Sequence, residues 1–178
     1  MDLFEQKEVL ASFRVIVDTR EQDTPKARRR YNAFDAPWSR ATLSYGDYAY
    51  NCTLPDGTPL MDDSETLTPP CVVERKMSLD ELALCFGKSR DRFEREFQRA
   101  ADNHSRIFLV VEEANWEDLL AGNYRSKLHP NALCASLTAW MIRYDMVPVF
   151  CRAQTSGRLI KEILYRDLKE RLENGEFG

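Results

Sequence analysis

Three short apolar runs in this chain end in acid. Val15-Ile16-Val17 leads into Asp18 and on to Glu21, the segment around Tyr45 and Tyr48 carries Asp47, and Cys71-Val72-Val73 leads into Glu74. A charge at the end of a buried strand is costly unless something compensates it. Glu74 and Lys76 are two apart, so on a strand they point to the same face. If the segment with Asp47 hairpins onto the one with Glu74, the two carboxylates converge and repel unless a cation lies between them. Hard divalent ions take oxygen donors, and magnesium commonly takes one or two carboxylates plus phosphate oxygens. A lysine beside such an ion orients or deprotonates a water, while the metal acidifies that water and neutralises charge on a phosphodiester. Taken alone, a glutamate and a lysine two apart are more readily explained as a surface ion pair. The reading rests on the residues around them.

Those side chains need elements to position them. "FRVIVDTRE" (13–21) reads as a buried strand ending near Asp18, and 22–40 as a loop holding at most one short helix. "ATLSYGDYAYNC" (41–52) reads as a strand bent at Gly46. Residues 53–70, dense in Pro, Asp, Gly and Thr, read as a long hairpin loop or small insertion, with Asp62 and Asp63 solvated, before 71–76 returns as a strand. Ser78 with Glu81 forms a capping box, followed by Leu79, Leu82, Ala83 and Phe86 at helical spacing. A helix over 89–102, a strand over 106–113, a short helix closed by Gly122, a helix over 130–145, a strand over 147–151 and an amphipathic helix from Ser156 to Glu173 complete the chain. The expected class is α/β, a small mixed central sheet flanked by helices. The last helix buries its stripe either on its own domain or on a second copy.

At 178 residues and 43% apolar content the chain is expected to form a single domain over 1–178. No apolar run reaches membrane-spanning length, and the acidic start has no hydrophobic signal region. The expected setting is cytoplasmic, nucleoid-associated if bacterial. The five cysteines (52, 71, 85, 134, 151) form no CxxC pair and the two histidines are isolated, which argues against structural zinc and for reduced thiols. A bridge between Cys52 and Cys71 across the hairpin stays open. The net charge of −4 argues against a large nucleic-acid surface, but basic residues cluster. "KARRR" (26–30) holds Arg28 and Arg29, and Arg125, Lys127 and His129 precede a helix expected to start near Pro130. Helix N-termini attract phosphate, so both basic segments are expected to flank a cleft and grip a nucleic-acid backbone; the alternative is ordinary solvated charge.

"GDY" (46–48), "ERK" (74–76) and Asp80 together spell GD-x(n)-ERK-x3-D. This resembles the signature of the XPF family of structure-specific nucleases, and Asp, a long gap, then Glu-x-Lys is the order used by PD-(D/E)xK nucleases. "VDTRE" (17–21) and "GKSRDRFEREFQRAADNHSRIFLVVE" (87–112) are similar to further parts of the family. The resemblance covers about 13–113, leaving 114–178 as a C-terminal extension, and implies a restriction-endonuclease-like core. It implies Asp47 and Glu74 as metal ligands, Asp18 as a further acid there, and Glu21 as a weaker candidate for the same role. It implies Lys76 as the catalytic lysine, Arg75 as a supporting or phosphate-contacting residue, Asp80 near the site at a helix start, and Arg92 on a helix facing DNA. The implied activity is Mg2+- or Mn2+-dependent endonucleolytic hydrolysis of DNA, favouring branched or flapped substrates and leaving a 5′-phosphate. The tandem helix-hairpin-helix module often found in the family is not visible, and the 53–70 hairpin is long for it. Affinity would then come from a homodimer, a protein partner or the chain's own basic loops. A compact free-standing domain points to a bacterial or phage setting. Two alternatives remain: a homodimeric junction-resolving or restriction-type nuclease, and a non-catalytic DNA-binding partner subunit.

Overall fold

The computed structural model describes residues 1–177. In chain order the elements are α1 (Leu3–Ala11), β1 (Arg14–Asp18), α2 (Pro25–Asn32), β2 (Trp38–Ala41), β3 (Tyr48–Asn51), β4 (Cys71–Lys76) and α3 (Leu79–Phe86), then α4 (Arg90–Asp102), β5 (Arg106–Glu112), α5 (Trp116–Ala121), α6 (Pro130–Arg143), β6 (Val147–Cys151) and α7 (Ala153–Glu173). The strands form one six-stranded sheet in the order β2-β1-β3-β4-β5-β6. β1 pairs parallel with β2 and antiparallel with β3; β3 pairs antiparallel with β4; β4, β5 and β6 run parallel. This is the mixed α/β architecture expected.

The two-residue period sorts the sheet into two cores. Ile16, Val72, Ile107, Leu109 and Val111 face one cluster, completed by residues of α3, α4 and α6. Val15, Val17, Cys71, Val73 and Val110 face the other, completed by residues of α1, α2 and α7. On the first side Trp140 is fully buried, with ring centroids of Phe86, Phe93 and Phe97 at 4.7, 5.1 and 4.9 Å. These contacts tie α6 to α3 and α4 and so fix the helix that carries Arg92. α7 buries Ile160, Leu164, Leu168 and Leu172 on the second side, which places its stripe on its own domain.

Several local expectations shift. The loop over 22–40 contains both α2, with Thr24 as N-cap and Pro25 in its first turn, and the edge strand β2. Residues 41–52 are not one strand: β2 stops at Ala41, the chain turns through Gly46 at φ 74°, and β3 starts at Tyr48. α7 begins at Ala153 rather than Ser156. Cys52 and Cys71 are both buried free thiols. The 53–70 loop leaves the far end of β3. Asn51 Nδ2 donates to Met61 O at 2.9 Å, and Asp63 pairs with Arg14, so Asp63 is committed at the end of the sheet away from Glu74. The segment after 113 adds β6 to the same sheet and α6 and α7 to its faces. Among the described residues no helix is long and apolar enough to cross a membrane.

Candidate active site

The end of β4 delivers Glu74 and Lys76 to one face, only 5% and 8% exposed. Lys76 Nζ donates to Glu74 Oε1 and lies 5.0 Å from the centroid of the Phe93 ring. Asp47 immediately precedes β3 and is clipped between two strands. Its N–H donates to Val73 O at 2.9 Å, and its carbonyl accepts from Asp18 N–H at 2.9 Å. Its carboxylate accepts the Arg75 N–H at 2.7 Å. The sheet backbone therefore aims Asp47 at the Glu74–Lys76 pair.

Gly46 makes that placement sterically feasible. Its φ is +74°, and a Cβ there would fall 2.8 Å from Val72 Cβ. The left-handed conformation alone costs a non-glycine residue about 1–2 kcal/mol. Gly46→Ala is expected to destabilise the fold by about 2 kcal/mol or more and to displace Asp47. Chemical denaturation gives the first effect; an unchanged midpoint would contradict this account of Gly46.

Asp47, Glu74 and Lys76 line a cavity of about 290 Å³ together with Arg20, Glu21, Glu81, Arg92 and Glu96. Those charged side chains are five acids and three bases, an excess of negative charge that a cation could offset. Burial and the nearby Glu74 charge push the Asp47 carboxyl well above the usual carboxylate range, although Lys76 and the Arg75 N–H oppose this. Burial also raises the Glu74 carboxyl, against the pull of Lys76. For Lys76, burial alone would favour the neutral amine, but Glu74 and Asp47 outweigh it and hold the ammonium form. A half-buried and a buried carboxyl kept from ionising freely, with one internal cation shared between them, suit a divalent ion. Among the described residues no three His, Cys, Asp or Glu side chains converge as a self-sufficient metal cage. Asp47 and Glu74 thus make a two-carboxylate site of the type magnesium completes with water and phosphate oxygens.

The structure does not bring every expected residue here. Asp18 is buried on the same side of the sheet, but its carboxylate accepts from Arg20 N–H and Nε at 2.7 Å, Arg20 Nη2 at 3.0 Å and Leu43 N–H at 2.8 Å. Its acceptor capacity is spent on holding the β1 end, and Arg20 rather than Asp18 reaches the cavity. Glu21, the weaker candidate, does line it and accepts from Tyr48 Oη at 3.1 Å. Arg75 supports the site through its backbone alone. Its side chain points to the opposite face and pairs with Glu112 through Nε at 2.8 Å and Nη2 at 2.6 Å. Asp80 lies outside the cavity: it accepts the N–H groups of Arg125 and Ser126 at 2.7 and 2.9 Å and Arg125 Nε at 3.2 Å, anchoring the 122–129 loop.

Of the basic candidates, Arg92 lines the cavity with its side chain 79% exposed. Lys127 and Arg125 are exposed beside Asp80. His129 caps α6, its Nδ1 accepting the Asn131 N–H at 3.2 Å. Arg28 pairs with Asp23 at 2.7 Å, and Arg29 is exposed on α2. Sequence reasoning missed Arg20, Glu81 and Glu96 as cavity residues. The spacing of Arg92 and Glu96, one helical turn apart, was the available signal for Glu96.

A family model described as ERCC4 domain matches residues 17–163, past the point where the sequence resemblance fades. Among curated proteins no sequence matches the chain significantly. Solved structures that share the fold include two of one protein. One is XPF from Aeropyrum pernix, with a TM-score of 0.58 and 21% identity over 86% of this chain and 61% of that one. The other is the same protein in complex with DNA, with a TM-score of 0.58 and 22% identity over 88% of this chain and 65% of that one. This chain thus spans less than two thirds of either structure.

Proposed function

The chain belongs to the ERCC4 domain family, and from the Asp47–Glu74–Lys76 cavity we propose that it is a Mg2+- or Mn2+-dependent DNA endonuclease acting on branched or flapped DNA. The single observation that carries the reading is the half-buried Asp47 carboxylate converging with the buried Glu74 carboxylate beside a charged lysine at the end of β4. Asp47 and Glu74 would hold the metal. A divalent ion there supplies Lewis-acid polarisation of a phosphodiester and an acidified water. Lys76, kept as ammonium by its neighbours, donates hydrogen bonds and neutralises charge developing on the phosphoryl oxygens. In that charge state it acts as an electrostatic and orienting group. The Arg75 N–H keeps the Asp47 carboxylate in place through the reaction. The preference for branched DNA is supported by the signature resemblance, and DNA as ligand also by the relative solved with DNA.

The test is cleavage of end-labelled flap, fork, duplex and four-way-junction DNA with Mg2+, Mn2+ or EDTA. Metal-dependent cutting of flaps or forks supports the proposal. Preferred cutting of four-way junctions or of duplex would favour the junction-resolving or restriction-type alternative. Binding without cutting under either metal would favour a partner subunit.

Arg92 at the cavity rim and Lys127 at the Asp80-anchored loop are the exposed cations best placed to meet a backbone entering the cavity. Arg92→Ala and Lys127→Ala are each expected to reduce the salt dependence of DNA binding by about one phosphate contact. Fluorescence anisotropy over a sodium chloride series reads this directly. An unchanged slope for either variant removes that residue from the interface.

A further inference from the structure

A second cavity lies on the other face of the sheet, and its charge has the opposite sign. It measures about 540 Å³ and is lined by Lys26, Arg29, Arg30 and Arg75, with Glu112 and Glu113 as its acids. Four bases against two acids, in a chain of net charge −4, mark a local site for an anion. α2 contributes Lys26, Arg29 and Arg30; β4 contributes Arg75; the first residues of α7, Ala153 and Gln154, close it. The first N–H of α7, that of Ala153, donates to the Glu113 carboxylate at 2.8 Å, and Arg152 pairs with the same carboxylate, so Glu113 is committed to the helix start and the positive potential rests on the α2 side chains.

One group in this cavity has unmet capacity. Arg30 is only 6% exposed, and its buried Nε has no hydrogen-bond partner. Glu112 Oε1 is 3.7 Å away, beyond hydrogen-bond distance, and both Glu112 oxygens already accept from Arg75. A buried guanidinium N–H left unpaired costs about 1–3 kcal/mol or more. Lys26 and Arg29 nearby are exposed and so can close on an entering ligand.

We propose that this cavity binds a phosphate group, separately from the metal-binding cavity across the sheet. A planar guanidinium fork together with flexible lysine and arginine side chains suits phosphate oxygens. The phosphate belongs either to a DNA strand or to a free nucleotide. Only the strand as source rests on the nuclease reading; the anion site itself does not.

The experiment is isothermal titration calorimetry on the full chain in EDTA, which removes metal-bridged binding at the acidic cavity. The titrants are inorganic phosphate, thymidine 5′-monophosphate, and a short oligonucleotide with a 5′-phosphate or a 5′-hydroxyl. One binding site is expected for the phosphate-bearing titrants. It should weaken roughly tenfold or more in Lys26→Ala/Arg29→Ala, since hydrogen bonds to charged groups are each worth about that factor, and persist in Arg166→Ala, which removes an exposed arginine that lines neither cavity. Lys26 and Arg29 are exposed, so this double variant tests the site without disturbing the core; Arg30→Lys adds the buried position. Tighter binding of the oligonucleotides than of the mononucleotide identifies a strand as the source, and the reverse a free nucleotide. No binding of any titrant, or binding that is as tight in the double variant as in wild type, overturns the proposal. Phosphate binding here with no metal-dependent cleavage of any DNA would leave this site standing and bring down the nuclease reading.

Discussion

Asp47→Asn and Lys76→Met each reduce metal-dependent DNA cleavage by about 10²–10³-fold or more while leaving the protein folded, as expected when a preorganised charge at the reacting centre is removed. Asparagine keeps the shape of Asp47 and its bond from the Arg75 N–H but removes the charge that would hold a metal. Methionine keeps the Lys76 stem against Phe93 but removes the ammonium from Glu74. The two variants part company without metal. Asp47 and Glu74 are both raised, so the folded protein binds protons more tightly than the unfolded chain. Stability of the metal-free protein therefore falls as pH rises from the ordinary carboxylate range toward the raised values. Asp47→Asn should flatten that fall and melt higher than wild type in EDTA at neutral pH. Lys76→Met should melt lower, because it strips the Lys76 countercharge from a buried Glu74. Melting curves in EDTA from pH 5 to 8 give both readouts. An Asp47→Asn protein that still cuts at the wild-type rate would end the metal assignment.

Glu112→Gln carries the largest expected cost in stability, about 3–5 kcal/mol, the range for breaking one partner out of a buried ion pair. Glu112 is 5% exposed and compensates the Arg75 guanidinium directly and Arg30 from 3.7 Å. Burial alone would raise its carboxyl, but Arg75 and Ser156 more than offset that and hold it below the usual glutamate value. With the folded value lowered, its contribution is fully present above the unfolded glutamate value and is lost as pH falls through the lowered one. Urea unfolding should show a large gap between wild type and variant at pH 7 that narrows at the acidic limit. A gap that does not narrow would show that packing, not charge, sets the cost. Because Arg75 also holds Asp47 through its N–H, cleavage should fall in the same variant even where it remains folded.

Much of the site was legible because it depends on local rules. Strand alternation alone places Glu74 and Lys76 on one face, and the capping of α3 by Ser78 fixes where β4 must end. The same alternation turns Arg75 to the other face, a consequence available in the sequence but outweighed by the signature's grouping of the three residues. The helices α3 to α6 were readable from spacing and caps, and α2 only as the one short helix allowed within the 22–40 loop. The parallel edge strand β2 was not, since its pairing with β1 joins residues more than twenty apart and leaves no periodic trace.

Residue type and two-residue spacing by themselves determined that Glu74 and Lys76 share one face at the end of β4. Tertiary structure alone decided which other acid joins them. Asp18 and Glu21 are equivalent in composition and close in sequence, yet Asp18 is taken up by Arg20 and by the N–H of Leu43, 25 positions away, leaving Glu21 to face the cavity. Tertiary structure alone likewise brought Arg30 of α2, Arg75 of β4 and Glu112 of β5 together across the sheet. The physical reason is the same in both cases. A side chain's face follows from its neighbours along the chain, but its hydrogen-bond partners follow from strand order and helix packing, which no local pattern encodes.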